Sequence, residues 1–168
     1  MKKVLQFSGL ISLVLAVVAF ILMLASDAVV QSSGSVQVVY GGAKAIFGHE
    51  SEGLLDPTIK LAPLALIAWI FILIGMIIVL AGVVLPLLKI NALEKFAGIL
   101  NLAALVLFVL GGIFMFIVVP NLWAANDWGD VPDNAKIGAG WVIGGIVAIV
   151  AGAFAILPVA AAFLSKKK

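Results

Sequence analysis

The stretch Leu61–Leu88, LAPLALIAWIFILIGMIIVLAGVVLPLL, contains no charged residue. A helix needs about 20 apolar residues to cross the roughly 30 Å hydrocarbon core of a bilayer, so this stretch is long enough for a membrane span. Three more uncharged stretches are also long enough: Val4–Ser26, Phe96–Asn126 and Ile137–Ser165. The sequence therefore predicts an all-α membrane protein whose four transmembrane helices form an antiparallel bundle. We expect a single domain, 1–168, with helices over 4–26, 62–88, 96–120 and 137–165 and outer loops over 27–61 and 121–136.

The composition agrees with a membrane protein. The chain is 65% apolar, with a mean hydropathy of +1.33 and a net charge of only +2. All ten basic residues are lysine, and the absence of arginine, the usual bidentate phosphate ligand, argues against nucleic acid as a partner. The chain has no cysteine, which excludes disulfides and thiolate chemistry and favours a bacterial surface. We expect no cofactor and no small-molecule substrate.

The lysines predict the orientation in the membrane. Seven lysines lie at the termini and in the short loop between spans two and three: Lys2, Lys3, Lys89, Lys95 and Lys166–Lys168. Only Lys44, Lys60 and Lys136 lie on the other side. Because cytoplasmic loops carry the excess of lysine, we expect a multi-pass protein of the cell membrane with both termini in the cytoplasm. The first apolar run is long for a signal peptide, so we expect it to stay as an anchor.

Four tryptophans lie at or near the outer ends of the spans: Trp69, Trp123, Trp128 and Trp141. Tryptophan is enriched at membrane–water interfaces, so this position is typical of an interfacial belt.

Small residues recur every four positions in the fourth span: Gly140, Gly144, Ala148 and Gly152. Such a stripe lets two helix backbones approach closely. It predicts either packing within the bundle or an interface with a neighbouring subunit. The bilayer is the first partner, and a homo-oligomer or another membrane protein is the second.

Spans one and three begin alike, with Phe7–Leu13 matching Phe96–Leu102, which indicates a parallel repeat or a chance likeness between apolar helices. In a true repeat, Ser12 and Asn101 would be equivalent and would meet near the cytoplasmic side. Asn101 is the strongest polar residue within the spans, and either an interhelical hydrogen bond or a pore lining would explain it. The spans contain no ionisable residue, which argues against pumps and proton-coupled transporters.

The first outer loop contains two strand-like runs, Val36–Tyr40 and Ala43–Phe47, on either side of Gly41-Gly42. Glycine accepts the positive φ that two-residue hairpin turns require, so the pattern predicts a small extracellular β-hairpin over 36–47. A short helix over Ala43–Phe47 is the alternative. Pro57 fits the entry to span two.

Two polar clusters suggest metal binding. The second outer loop contains five oxygen ligands suited to Ca²⁺: Asn126, Asp127, Asp130, Asp133 and Asn134. Their spacing differs from that of the EF-hand loop, so we expect a solvated acidic loop. His49 lies beside Glu50 and Glu52, which is more typical of a solvated tract than of a metal site. We therefore predict no metal and no catalytic residues.

The overall layout resembles that of the claudin/PMP22-like tetraspan group: cytoplasmic termini, a larger first outer loop with strand character, a short inner turn and a smaller second outer loop. The likeness covers the whole chain, but it is one of topology. The tryptophan, the Gly-Leu-Trp motif and the cysteine pair of the claudin first loop are absent. The segment Val39–Gly48, VYGGAKAIFG, is similar to segments of small four-helix membrane proteins of Gram-positive and wall-less bacteria. That resemblance implies a tetraspan fold and no particular activity.

These features favour a non-enzymatic membrane protein that acts in self-assembly or partner interaction at the cell envelope. An accessory subunit of a larger membrane transport complex and an oligomeric pore are the alternatives.

Overall fold

The computed structural model describes residues 2–51, 58–87 and 96–165. Four of its helices are long and apolar enough to cross a membrane, which confirms the prediction of four candidate spans. These helices are α1 (Lys2–Ala25), α3 (Pro63–Leu87), α4 (Ala97–Phe116) and α6 (Ala139–Ser165). Two short helices, α2 (Gly42–Phe47) and α5 (Val118–Asn126), and three strands, β1 (Asp27–Ser33), β2 (Val36–Gly41) and β3 (Ala135–Ile137), complete the described part of the chain.

Several sequence predictions concern segments outside the described residues. These are the inner turn with Lys89 and Lys95, the terminal lysines Lys166–Lys168, Glu52 and Pro57. The described helix α3 begins at Pro63, whose fixed φ and missing N–H suit the first helical position.

The third predicted helix, 96–120, is divided at Ile117. Helix α4 ends at Phe116 and α5 begins at Val118. Pro120 explains the division, because its ring would clash with the carbonyl of Phe116 four residues earlier and it has no N–H to bond there. The break makes α5 a separate element that carries polar side chains beyond the end of the span.

The four long helices pack in a ring. Helix α1 contacts α3 and α6, and α4 contacts the same two helices from the other side. Small buried residues let the backbones approach: Gly75 of α3 lies against the ring of Phe108 on α4, which is itself fully buried. Without a hydrophobic drive between helices in lipid, such close contact is what stabilises a bundle.

The strands form one antiparallel sheet in the order β2-β1-β3. A two-residue turn, Gly34-Ser35, joins β1 to β2, and Gly34 has φ +59°. Glycine at the first central position with positive φ is the signature of a type II′ hairpin turn. The third strand comes from the connection between α5 and α6, and Val29 of β1 pairs with Ile137 of β3.

The hairpin therefore exists, but the prediction of where it turns is wrong. Strand 36–40 is present, whereas 43–47 belongs to α2, the alternative that the sequence also allowed. Gly41 is extended, with φ −63° and ψ 149°. Gly42 is needed for a different reason: a Cβ there would overlap the carbonyl oxygen of Met23 and lie 2.9 Å from that of Ser26. The glycine pair serves close packing and not a positive-φ turn.

The strands and short helices form a head, residues 27–51, 58–62 and 117–138, that is joined to the bundle where α1 ends. The Gly42 N–H donates to Ser26 O at 2.8 Å, and the Gly138 N–H donates to Ala28 O at 2.9 Å. The indole Nε1 of Trp141 donates to Met23 O at 3.1 Å, which satisfies a carbonyl of the last turn of α1. The start of α2 and the start of α6 are thus both held on the end of α1.

Candidate interaction surface on the head

An aromatic cluster of Tyr40, Trp123 and Trp128 lies against one end of the sheet. The ring centroids are 5.1 Å apart for the two tryptophans and 5.2 Å apart for Tyr40 and Trp128. Tyr40 pairs across the sheet with the fully buried Val29, so the cluster covers the face that carries Val29. Burial raises the pKa of the Tyr40 hydroxyl above its usual range.

The end of α5 explains how the two tryptophans meet. The N–H of Asp127 donates to Ala124 O and that of Trp128 to Trp123 O, and Asp127 has φ 55°. These are the bonds of a Schellman motif, which brings the side chain after the helix back onto its last turn. Trp128 packs on Trp123 as a result.

The other two tryptophans lie nearer the bundle. Trp69 contacts the rings of Phe20 and Phe47, with centroids 5.7 Å and 5.3 Å away. Trp141 is fully buried, and Trp123 is only 4% exposed. Both rings are therefore enclosed by the protein: Trp123 belongs to the aromatic cluster, and Trp141 Nε1 donates to Met23 O. The interfacial belt of four tryptophans stays a prediction. Trp69 and Trp128 are partly exposed.

Two asparagines of α5 hold the segment that leads into α3. The amide of Asn126 accepts the Lys60 N–H at 2.6 Å and donates to Lys60 O at 3.1 Å and to Leu122 O at 2.8 Å. Asn121 accepts the N–H of Leu64 at 2.9 Å. We call Asn121 and Asn126 with the backbone of Lys60 and Leu64 the asparagine clasp. It satisfies backbone groups at the beginning of α3, where a helix has no internal partners.

A surface ion pair lies beside the clasp. Lys60 Nζ is 2.9 Å from a carboxylate oxygen of Asp127, and both side chains are largely exposed. The hydrogen bond from Lys60, followed by its positive charge, lowers the pKa of Asp127. Ion pairs between exposed side chains stabilise a folded protein only slightly.

The described residues contain no group of three or more His, Asp or Glu side chains placed to hold a metal ion. The amides of the second loop have structural partners: Asn126 forms the clasp, and Asn134 donates to Ser32 O. His49 lies in a backbone bridge with Ile59, with both N–H···O distances at 2.7 Å. The side chains of Asn126 and Asn134 and the backbone of His49 thus belong to the framework of the head.

The small-residue stripe of α6 packs against other helices. A Cβ on Gly144 would lie 2.8 Å from Met115 Cε of α4, and one on Gly152 would lie 3.2 Å from Leu105 O. Ala148 is fully buried, and Gly140 lies against Ser26 at the head. The stripe is therefore filled from within the chain, which leaves little of it for a neighbouring subunit.

The two polar residues of the spans have separate surroundings. Ser12 is fully buried and donates to Ala151 O of α6 at 2.7 Å. Asn101 on α4 is partly exposed. No hydrogen bond joins the two within the described part of the chain. Ser12 thus bonds α1 to α6, and the role of Asn101 stays a hypothesis.

Strand β2 is an edge of the sheet and carries three exposed apolar side chains. Val36 is 61% exposed, Val38 43% and Val39 44%, so both faces of the strand are open near the turn. The strand contains no charge and no proline, the usual devices that protect an edge from pairing. An edge strand of this kind offers main-chain hydrogen bonds and apolar side chains together.

Sequence reasoning missed β1, β3 and the asparagine clasp. The run Asp27–Ser33 ends in Gln-Ser-Ser, so its apolar alternation is too short to indicate a strand. Asn121 and Asn126 can be read from the sequence, but no local sequence pattern predicts that the first loop passes beside them. No protein-family model matches the chain, and no curated protein is significantly similar to it.

Proposed function

We propose that this chain is a non-enzymatic integral membrane protein that acts by contact with other proteins, in self-assembly or in partner binding at the cell envelope. The observation that supports this function is strand β2, an uncharged sheet edge with three exposed valines. Edges of this kind recruit further strands, and native proteins usually cover or charge them. Because the α6 stripe packs against other helices of the same chain, we place the contact surface on the head and not on the spans.

We further propose an antiparallel arrangement of the four spans in the cell membrane, with the head outside and the termini in the cytoplasm. Helix α1 leads into the head and α3 leads out of it, and α4 and α6 repeat this order. The excess of lysine on the side opposite the head supports the orientation.

Site-specific photo-cross-linking in native membranes tests the function. A photoreactive residue at Val36 in the head is expected to yield protein adducts of fixed mass. The same residue at Ile143, which is 53% exposed on α6, serves as the matched control and is expected to react with lipid. Equal protein adducts at both positions, or none at Val36, would contradict the proposal.

Ion flux into liposomes distinguishes the pore alternative. The reconstituted chain is expected to conduct no ions above protein-free liposomes. Selective flux that Asn101→Leu abolishes would replace the interaction function with that of an oligomeric pore.

A further inference from the structure

The outward backbone groups of β2 follow from its turn. Because Ser33 and Val36 flank a two-residue turn, they form a hydrogen-bonded pair, and such pairs alternate along the hairpin. Val36, Val38 and Tyr40 therefore direct their N–H and C=O groups toward β1. Gln37 and Val39 direct theirs away from the sheet. No described strand pairs with that side of β2.

The chemistry of this edge is self-complementary. Antiparallel pairing of two β2 strands about Val38 would set Gln37 of each copy opposite Val39 of the other, so the outward donors and acceptors match. Val38 would lie opposite its own symmetry mate. No like charges would meet along the paired strands, because Val36–Gly41 is uncharged. The lysines of the head lie outside this strand: Lys44 on α2, Lys60 beside α5 and Lys136 on β3, the far edge.

We propose that a second copy of this chain pairs with the β2 edge, in antiparallel register centred on Val38, to extend the three-stranded sheets of two heads into one. This inference rests on the proposed interaction function and names its partner. Because the strand carries no charge, it has no group that would select a charged peptide as its partner. Confinement of identical chains to one membrane system also raises the chance that equivalent edges meet.

Cysteine cross-linking of the full chain tests the register, since the chain has no cysteine of its own. A non-hydrogen-bonded antiparallel pair has Cα atoms about 4.5 Å apart, within the range of a disulfide. Val38→Cys is therefore expected to give a disulfide-linked dimer on mild oxidation. Val36→Cys is the matched control: it is more exposed, but its symmetry mate would be about 14 Å away at about 3.4 Å per residue. Both variants are oxidised in native membranes and in mild detergent. In detergent no bilayer restricts the tilt at which the sheets of two copies pair.

A second pair of variants tests the hydrogen bonds. Val39→Pro removes an outward N–H without removing a bond to β1, and proline is tolerated on that side of an edge strand. It is expected to reduce the Val38→Cys cross-link at least tenfold. Val39→Thr keeps the N–H and the β-branched shape and is expected to leave the cross-link unchanged. Thermal midpoints of both variants in detergent verify that the bundle is intact.

The outcomes separate this inference from the proposed function. Cross-linking at Val36 as efficient as at Val38, or a Val38 cross-link that Val39→Pro leaves intact, would overturn the pairing. Protein adducts at Val36 that contain only other proteins would overturn the second copy as occupant, while the interaction function would stand. No protein adducts and no dimer would overturn both.

Discussion

At the scale of single residues, glycine has two different uses in this protein. Gly34 supplies a positive φ in the hairpin turn, where a side chain would find open space around it. Gly42 has no side chain, which lets the start of α2 pack closely against the end of α1. These two uses of glycine cannot be distinguished in a sequence. Gly41-Gly42 therefore suggests a turn, although a helix in fact begins there. The distinction depends on atoms from Met23 and Ser26, which no local pattern reveals.

Alanine substitutions at the neighbouring glycines test this interpretation. Gly42→Ala is expected to destabilise the protein by about 1–3 kcal/mol, because the new Cβ would overlap backbone oxygens that hold the head to α1. Gly41→Ala is the matched control: it meets nothing within 4 Å and is expected to be neutral or to stabilise by up to about 1 kcal/mol. Heat-induced loss of the monodisperse peak in detergent measures both. Equal effects would contradict the packing role of Gly42.

The α6 stripe gives a second prediction at this scale. Gly144→Leu is expected to lower the thermal midpoint of the monomer, at a cost of about 1–3 kcal/mol or more, because the site is closed by Met115 and Leu22. Ile143→Leu changes the adjacent exposed position and is expected to have little effect. A Gly144→Leu protein that kept its midpoint but lost an oligomer would instead assign the stripe to a subunit interface.

At the scale of elements, the head depends on contacts between segments distant in sequence. Strand β3 joins the sheet from the second loop, and the clasp on α5 holds the start of α3. The four spans were predictable because each is a long local run of apolar residues, and the hairpin strand 36–40 was predictable from its β-branched residues. The third strand and the clasp were not, because their partners lie far along the chain.

The clasp gives the clearest prediction for this scale. Asn126→Ala is expected to destabilise the protein by about 1–3 kcal/mol, since it leaves the N–H and C=O of Lys60 without their amide partner. Asn134→Ala removes one bond near the surface of the head and is expected to cost less. The thermal midpoints of the two variants in the same detergent make the comparison. A smaller loss for Asn126→Ala than for Asn134→Ala would show that water replaces the clasp.

The pH dependence of thermal stability gives an independent test of the ion pair beside the clasp. The pKa of Asp127 is lowered in the folded protein, so the pair stabilises the fold above the unfolded carboxyl pKa, near 4. That contribution is lost as the pH falls through the lower, folded pKa. The difference in thermal midpoint between the natural chain and Asp127→Asn is expected to be small at pH 7 and to vanish in strong acid. Asparagine tolerates the positive φ at this position, so the backbone is unchanged.

At the scale of the whole molecule, the contacts divide into two regions with different purposes. The bundle uses small residues to bring its helices together, and its larger apolar side chains cover the outside of the spans. The head contains a sheet, an aromatic cluster and the clasp, and β2 forms one edge of the sheet. Within the described part of the chain, no strand pairs with the outward backbone groups of Gln37 and Val39 at this edge of the head.

Cysteine accessibility in intact cells tests the proposed orientation, with the head outside and the termini in the cytoplasm. Single cysteines at Ser33 in the hairpin and at Asn91 between spans two and three report the two sides, and the natural chain without cysteine supplies the background. An impermeant maleimide is expected to label Ser33→Cys in intact cells, because Ser33 is exposed in the structure and the proposed orientation places the hairpin outside. It is expected to label Asn91→Cys only after permeabilisation, since the excess of lysine that includes Lys89 and Lys95 predicts a cytoplasmic position for that loop. The reverse pattern would place the head in the cytoplasm, and the contacts proposed for β2 would then have to be sought among cytoplasmic proteins.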